Sequence, residues 1–196
     1  MLIIDLNCDM GEGIGNDSLI MPYISSCSIA CGGHFGNRNS ILESLILAKK
    51  HEVKVGAHPA YPDPKNFGRK SMSLSIHELK QHLKQQLNRF MECCALTKSS
   101  IHHIKPHGAL YNDMFVDKIP TQVFIELIEE FIPDVYIYCS PSSLLEKECR
   151  KIGLKVKLEG FMDRVYNPDA TLRSRSLEGA VLNDLDQIEK QLILMV

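Results

Sequence analysis

The feature that most constrains this chain is a repeated alternation of short β-type runs with longer amphipathic segments. Residues 26–31, 53–57, 101–105, 134–139 and 154–158 each read as a strand, rich in β-branched, aromatic or small apolar side chains. Between them, residues 39–51, a long run from Ser75 to about Ala95, and residues 120–131 and 141–152 read as helices. In the first of these Ile41, Leu45 and Ala48 mark one apolar face. An apolar start at residues 1–4 adds another strand, with Leu2-Ile3-Ile4 as its buried part. Asn16-Asp17 can cap a helix over residues 18–24, and a last helix starts at Asp184. Local signals support these bounds: Ser75 and Glu78 form a capping box, Pro120 suits a first helical turn, and Gly153 suits a C-cap. Strict βα alternation predicts a parallel sheet covered by helices. Residues 1–196 contain no linker or low-complexity segment and read as one domain of this class.

Polar chemistry gathers where the strands end. Asp5, Asn7 and Asp9 fall at period two, so all three face one side of an extended chain. Gly11 and Gly13 then allow tight turns around Glu12. His34 follows Gly32-Gly33, and His58 precedes Pro59, which holds it extended. Lys105-Pro106-His107-Gly108 ends the fourth strand, and Glu159, Asp163 and Arg164 follow the sixth. In a (β/α) barrel the C-terminal strand ends form the active-site face, and open α/β sheets bind ligands there too. These groups are therefore expected to converge on one mouth. A lysine at a buried strand end stays charged only beside a carboxylate, and Asp5, Asp9 and Glu159 are the candidates. Arg164 carries the donors to clamp a carboxylate. Lys105, Arg164 and Arg175 together suit a small anion, with Arg69 and Arg173 in bordering loops. Histidines and aspartate on separate strands also suit a divalent metal, although no HExxH or similar close spacing supports one. His102 and His103 read as structural, and His51, His77 and His82 as solvated helix residues.

Composition narrows the function classes. The formal net charge of −2 and a pI of about 6.4 give no support to nucleic-acid or anionic-membrane binding. No apolar run approaches the roughly 20 residues of a spanning helix, and no basic segment precedes a long apolar one. A cytoplasmic protein is expected. Seven cysteines, none in a CxxC pair, read as reduced thiols rather than a zinc framework. There is no GxxxxGK[ST] or GxGxxG segment, so the chain shows no nucleotide-phosphate cradle of its own.

Six segments occur together and in order: Asp5-Leu6-Asn7-Cys8-Asp9-Met10-Gly11-Glu12-Gly13, Ile29-Ala30-Cys31-Gly32-Gly33-His34, Gly56-Ala57-His58-Pro59-Ala60-Tyr61-Pro62-Asp63, Asn66-Phe67-Gly68-Arg69, Lys105-Pro106-His107-Gly108-Ala109-Leu110-Tyr111-Asn112 and Asp163-Arg164-Val165-Tyr166. In these the chain resembles the LamB/YcsF family, the A subunits of bacterial 5-oxoprolinases, from Met1 to about Asp184. The resemblance implies a seven-stranded, TIM-like (β/α) barrel related to polysaccharide deacetylases. It implies ATP-dependent opening of 5-oxoproline to glutamate together with subunits B and C, which would handle ATP. On that reaction, residue chemistry offers Asp9 or His58 to activate water, with Lys105 and His107 to stabilise charge on oxygen. Arg164 would hold the substrate carboxylate, with Asn7, Glu12, His34 and Asp163 completing the binding set. A metal-dependent deacetylase or amidase, with Asp9, His34 and His58 as ligands, is the alternative by fold analogy. A non-catalytic partner subunit is the other. Two departures from the family stand out. Asn37 replaces an aspartate, and the chain to Val196 lacks a further βα unit with a late His-Gly-Asp segment. About six strands are therefore expected, with an open edge suited to pairing with another chain or a second copy.

Overall fold

The computed structural model describes residues 4–195. Six parallel strands form one sheet in sequence order: β1 (Asn7–Met10), β2 (Ser26–Ala30), β3 (Lys54–His58), β4 (Ile101–Ile104), β5 (Tyr136–Cys139) and β6 (Lys155–Leu158). Helices α1 (Asp17–Ile20), α2 (Arg38–Lys50), α3 (Ile76–Thr97), α4 (Gly108–Asp113), α5 (Lys118–Phe131), α6 (Leu144–Lys151) and α7 (Leu185–Met195) alternate with or follow them. Crossovers between parallel strands are right-handed. Since the strand order never reverses, the crossover helices fall on one side and the other side becomes a concave interior. The curl is pronounced. The Asp5 carboxylate, just before β1, accepts from the Tyr138 hydroxyl on β5, and Lys157 Nζ of β6 lies 3.7 Å from it.

β2 shows how the two faces divide. All five of its residues are buried. Cys27 and Ile29 join the apolar layer with Leu45, Leu83, Leu87, Phe90, Phe124 and Ile137. Ser26 and Ser28 turn inward, where they meet Asn7 Nδ2 and Oδ1 at 2.8 and 3.1 Å. Polar groups fill the interior because each finds a partner there. Ser28 Oγ also lies 3.0 Å from His103 Nε2, and the His103 ring stacks on Tyr138. Gly56, paired with His103 across β3 and β4, makes this possible, because a Cβ at Gly56 would collide with the imidazole.

The boundaries follow local chemistry. The capping box at Ser75 and Glu78 opens α3 as expected. α6 starts at Leu144 rather than residue 141, because Ser143 Oγ accepts from Glu146 N and so caps it. α5 starts at Lys118, capped by Asp117, which leaves Pro120 within the first turn. The helix expected over residues 18–24 ends early. α1 gives way to a 3₁₀ turn at Met21–Tyr23, where Pro22 supplies no N–H for an α-helical bond. The first strand is also displaced: it begins at Asn7, and Ile4 is 53% exposed. Leu2 and Ile3 lie outside the described residues. α4 occupies a stretch that reads as a loop in the sequence. Among the described residues β6 pairs only with β5, and no helix is long and apolar enough to cross a membrane.

Candidate active site

The C-terminal strand ends meet over the concave interior. β1 points Asn7 and Asp9 inward. Gly11 and Gly13, at φ +70° and +75°, then turn the chain so that Glu12 comes back over the strand ends. His34 follows β2, His58 ends β3, Lys105 and His107 follow β4, and Glu159 follows β6. Lys105 lies at the centre and is only 4% exposed. Its Nζ sits 2.7 Å from Asp9 Oδ1 and 3.6 Å from Glu159 Oε2, and donates to Asn7 Oδ1 at 3.1 Å. Burial works against this charge, but Asp9 and Glu159 outweigh it and hold the lysine above its ordinary pKa. Burial also opposes the Asp9 carboxylate, yet His58 and Lys105 hold it well below the usual range. Glu12 and Glu159 shift the other way, raised chiefly by burial. Of the lysine's three candidate partners, Asp9 and Glu159 serve. Asp5 instead accepts from Ser25 and Tyr138.

The histidines form a tight cluster. His58 Nε2 is 3.3 Å from Asp9 Oδ2 and 2.9 Å from His107 Nδ1. His34 Nε2 is 2.8 Å from Glu12 Oε1. The His34 and His107 rings stack with centroids 3.6 Å apart, and Phe67 packs edge-on against both. Burial, reinforced by neighbouring histidines, lowers His34 to about 3 and His107 to about 2, so both rings are neutral near pH 7. Phe67 gained no chemical role from sequence. Its place in the Asn66-Phe67-Gly68-Arg69 segment was the only signal. The following Gly68, at φ +61°, runs so close to His34 and His107 that a Cβ would come within 2.8 Å of the former.

A cavity of about 530 Å³ opens above this cluster. Asp9, Glu12, His58, Lys105 and His107 line it, and Arg69, Lys70, Arg173 and Arg175 make its rim basic. Asn7 lies beneath, behind Lys105. Arg164 borders the cavity, but its Nε and Nη2 donate to the carbonyls of Ala180 and Arg173. Two of the five guanidinium donors thus tie down the loop between β6 and α7 while the residue still borders the cavity. Asp163 is not among the lining residues, and its backbone carbonyl accepts from Leu182 N. Asn37 caps α2, with Oδ1 accepting from Asn39 N and Ser40 N at 2.8 and 3.2 Å. Asparagine and aspartate cap helices about equally well, so this departure has a structural reading.

The segments that build the site are shared with known proteins. The sequence profile of the LamB/YcsF family matches residues 4–196. Proteins named as the A subunit of 5-oxoprolinase in Staphylococcus aureus strains bovine RF122 / ET3-1 and MRSA252 are each 39% identical, over 98% of this chain and 79% of their own length. The crystal structure of a lactam utilization protein from Thermus thermophilus superposes with a TM-score of 0.92 at 36% identity, covering 100% of this chain and 81% of that one. A putative cellobiose-phosphate cleavage protein from Enterococcus faecalis V583 matches at TM-score 0.58 and 13% identity, over 96% of this chain and 73% of its own, which is a likeness of fold. On profile, identity and the TIM-like architecture alike, this chain belongs to the LamB/YcsF family.

Proposed function

We propose that this chain acts in 5-oxoproline metabolism, as the A-type subunit of a 5-oxoprolinase that opens the lactam to glutamate with ATP and subunits B and C. The observation that carries the reading is the Asp9 carboxylate held between Lys105 and His58 on the floor of a basic-rimmed cavity. The relatives' names supply the substrate class, one being the A subunit of a 5-oxoprolinase and another a lactam utilization protein. A lactam carbonyl is a weak electrophile. Transfer of the γ-phosphoryl group of ATP to the amide oxygen gives an activated imidate-like species and ADP. Water then adds to the former carbonyl carbon. The C–N bond breaks, the ring nitrogen takes a proton, and an acyl phosphate of glutamate remains; a second water then hydrolyses it to glutamate and phosphate. The chain has no phosphate-binding loop of the P-loop type, which fits ATP handling by the partners.

The roles follow from geometry. His58 donates through Nδ1 to the Lys105 carbonyl at 2.7 Å, which leaves Nε2 free to accept a proton. His58 with Asp9 is therefore the water-activating pair. Lys105 supplies fixed positive charge near the oxygen on which negative charge develops. Arg69 and Arg175, which line the same cavity as Arg164, are further candidates to meet the substrate carboxylate or the phosphoryl group. The test is ATP-dependent glutamate formation from 5-oxoproline with subunits B and C present. Asp9→Asn and His58→Gln should each lower kcat by about 10²–10⁴, the usual worth of a general base. Full turnover in both would overturn the assignment. Loss of turnover in every variant, with capture of subunits B and C intact, separates catalysis from scaffolding.

A further inference from the structure

Two hydrogen bonds dictate where His58 and His107 carry their protons. His58 Nδ1 lies 2.7 Å from the Lys105 carbonyl oxygen, and His107 Nε2 lies 3.0 Å from that of Phe67. A carbonyl oxygen only accepts, so both nitrogens bear hydrogen. In the neutral rings the remaining nitrogens, His58 Nε2 and His107 Nδ1, therefore hold lone pairs. These two atoms face each other at 2.9 Å. Lone pairs that close repel unless an electron-poor centre stands with them. A proton or a metal cation meets that need.

Carboxylate oxygens gather at the same point. Glu12 Oε1 lies 3.5 Å from His107 Nδ1, and Asp9 Oδ2 lies 3.3 Å from His58 Nε2. Donor atoms of Glu12, His34, His58 and His107 all fall within 4.8 Å of one another. A tetrahedral zinc-class ion, with bonds of about 2.0–2.1 Å, holds its ligand atoms about 3.3 Å apart. The His58–His107 and His107–Glu12 separations reach that value with shifts of a few tenths of an ångström. Both imidazoles also have their second nitrogen anchored on a carbonyl, as metal-bound histidines usually do. His34 does not fit as a ligand beside His107. Their rings lie face to face, 6° from parallel, so an ion in the plane of one cannot lie in the plane of the other. The bond from His34 Nε2 to Glu12 Oε1 orients the carboxylate instead.

We propose that Glu12, His58 and His107 form a two-histidine, one-carboxylate site for a divalent transition metal of the zinc class, with His34 orienting Glu12. This set replaces the Asp9, His34 and His58 combination that the sequence suggested. Bound there, such an ion would take up the His58 Nε2 lone pair, so that the ion, with Asp9 nearby, would acidify a water or polarise a carbonyl oxygen in place of His58 acting as the base. The inference does not depend on the lactam reading, and its test needs no turnover.

The full chain, stripped with a chelator, is titrated with Zn²⁺ by calorimetry and with Co²⁺ by visible absorption. One ion per chain is expected, with intense Co²⁺ bands of low coordination number. Glu12→Gln and His107→Gln should weaken binding by more than about 100-fold, and His34→Gln by about 10–100-fold, the usual effect of a residue behind the ligands. His77→Gln, at an exposed position of α3, should change nothing. Because substitutions in a buried cluster can unfold it, the unaltered chain gives a second measurement. Histidine ¹⁵N spectra should show Zn²⁺ shifting His58 Nε2 and His107 Nδ1, while their partner nitrogens stay protonated. No uptake, with one ring doubly protonated, overturns the proposal in favour of a shared proton. So does a bound ion whose affinity ignores Glu12→Gln and His107→Gln. Either result leaves the lactam reading to its own turnover test.

Discussion

Lys105 holds together residues that are far apart in the chain. Its ammonium neutralises Asp9 and Glu159 and reaches Asn7, which stands 98 positions earlier. Lys105→Met keeps most of the volume and removes the charge. Breaking a buried pair costs about 3–5 kcal/mol because the remaining ions lose their compensation. The variant should therefore lose about that much stability in urea titrations. Wild-type stability in this variant would mean that Asp9 and Glu159 are solvated. Asp9→Asn should restore part of the loss when combined with it, since the orphaned charge is then gone. Sequence reasoning named both partners, but also Asp5, and could not choose among the three. Charge and strand position are local properties, whereas a 2.7 Å contact between β1 and the end of β4 depends on how the sheet curls. Arg164 shows the converse. Its residue type suits anion binding, and the loop carbonyls of Arg173 and Ala180 take two of its donors, a structural role that no local signal announced.

At the scale of elements, two substitutions separate local from packed effects. Ser75 Oγ accepts from Glu78 N, and Glu78 Oε2 accepts in return from Ser75 N. Ser75→Ala should cost about 1 kcal/mol, the typical worth of an N-cap, with unchanged spectra for the interior. Gly56→Ala meets a different obstacle, because the new methyl runs into the buried His103 ring. Overpacking of this kind costs about 1–3 kcal/mol. It should also shift the His103 and Tyr138 resonances, since their rings stack. Unchanged interior resonances in Gly56→Ala would show that β3 and β4 separate easily. The capping box was legible because its chemistry lies within four residues. The Gly56–His103 fit was not, because 47 positions separate partners that only the strand register brings face to face. α4 went unread for a related reason. It is six residues long, and its buried Ala109, Leu110 and Tyr111 are set by packing rather than periodicity.

For the molecule as a whole, buried neutral histidines make stability depend on pH. His103 is fully buried, and burial, with the charges of His102 and Lys105, lowers it from 6.5 to about 2. Below pH 6.5 the unfolded chain takes up this proton while the folded chain does not. The contribution of His103 is thus complete above about pH 6.5 and falls away between pH 6.5 and about 2. The slope approaches about 1.4 kcal/mol per pH unit for one such group. Chemical denaturation at about pH 7.5, 6 and 5 should show this decline, and His103→Gln should flatten it by about one proton. An identical pH slope in the variant would mean that His103 already carries its proton in the fold.

What the sequence determined by itself is the rhythm of the chain and the end of each strand at which chemistry collects. Alternation, caps and turn residues act over a few positions, so they are written locally. They place Asp9, His34, His58, Lys105 and His107 at one edge of a parallel sheet before any distance is known. Only the tertiary structure decided which of these touch. The curl of the sheet sets the spacing between strand ends, and carbonyls from Lys105 and Phe67 decide which imidazole nitrogens keep their lone pairs. Both depend on contacts between segments tens of residues apart, where no local preference reaches.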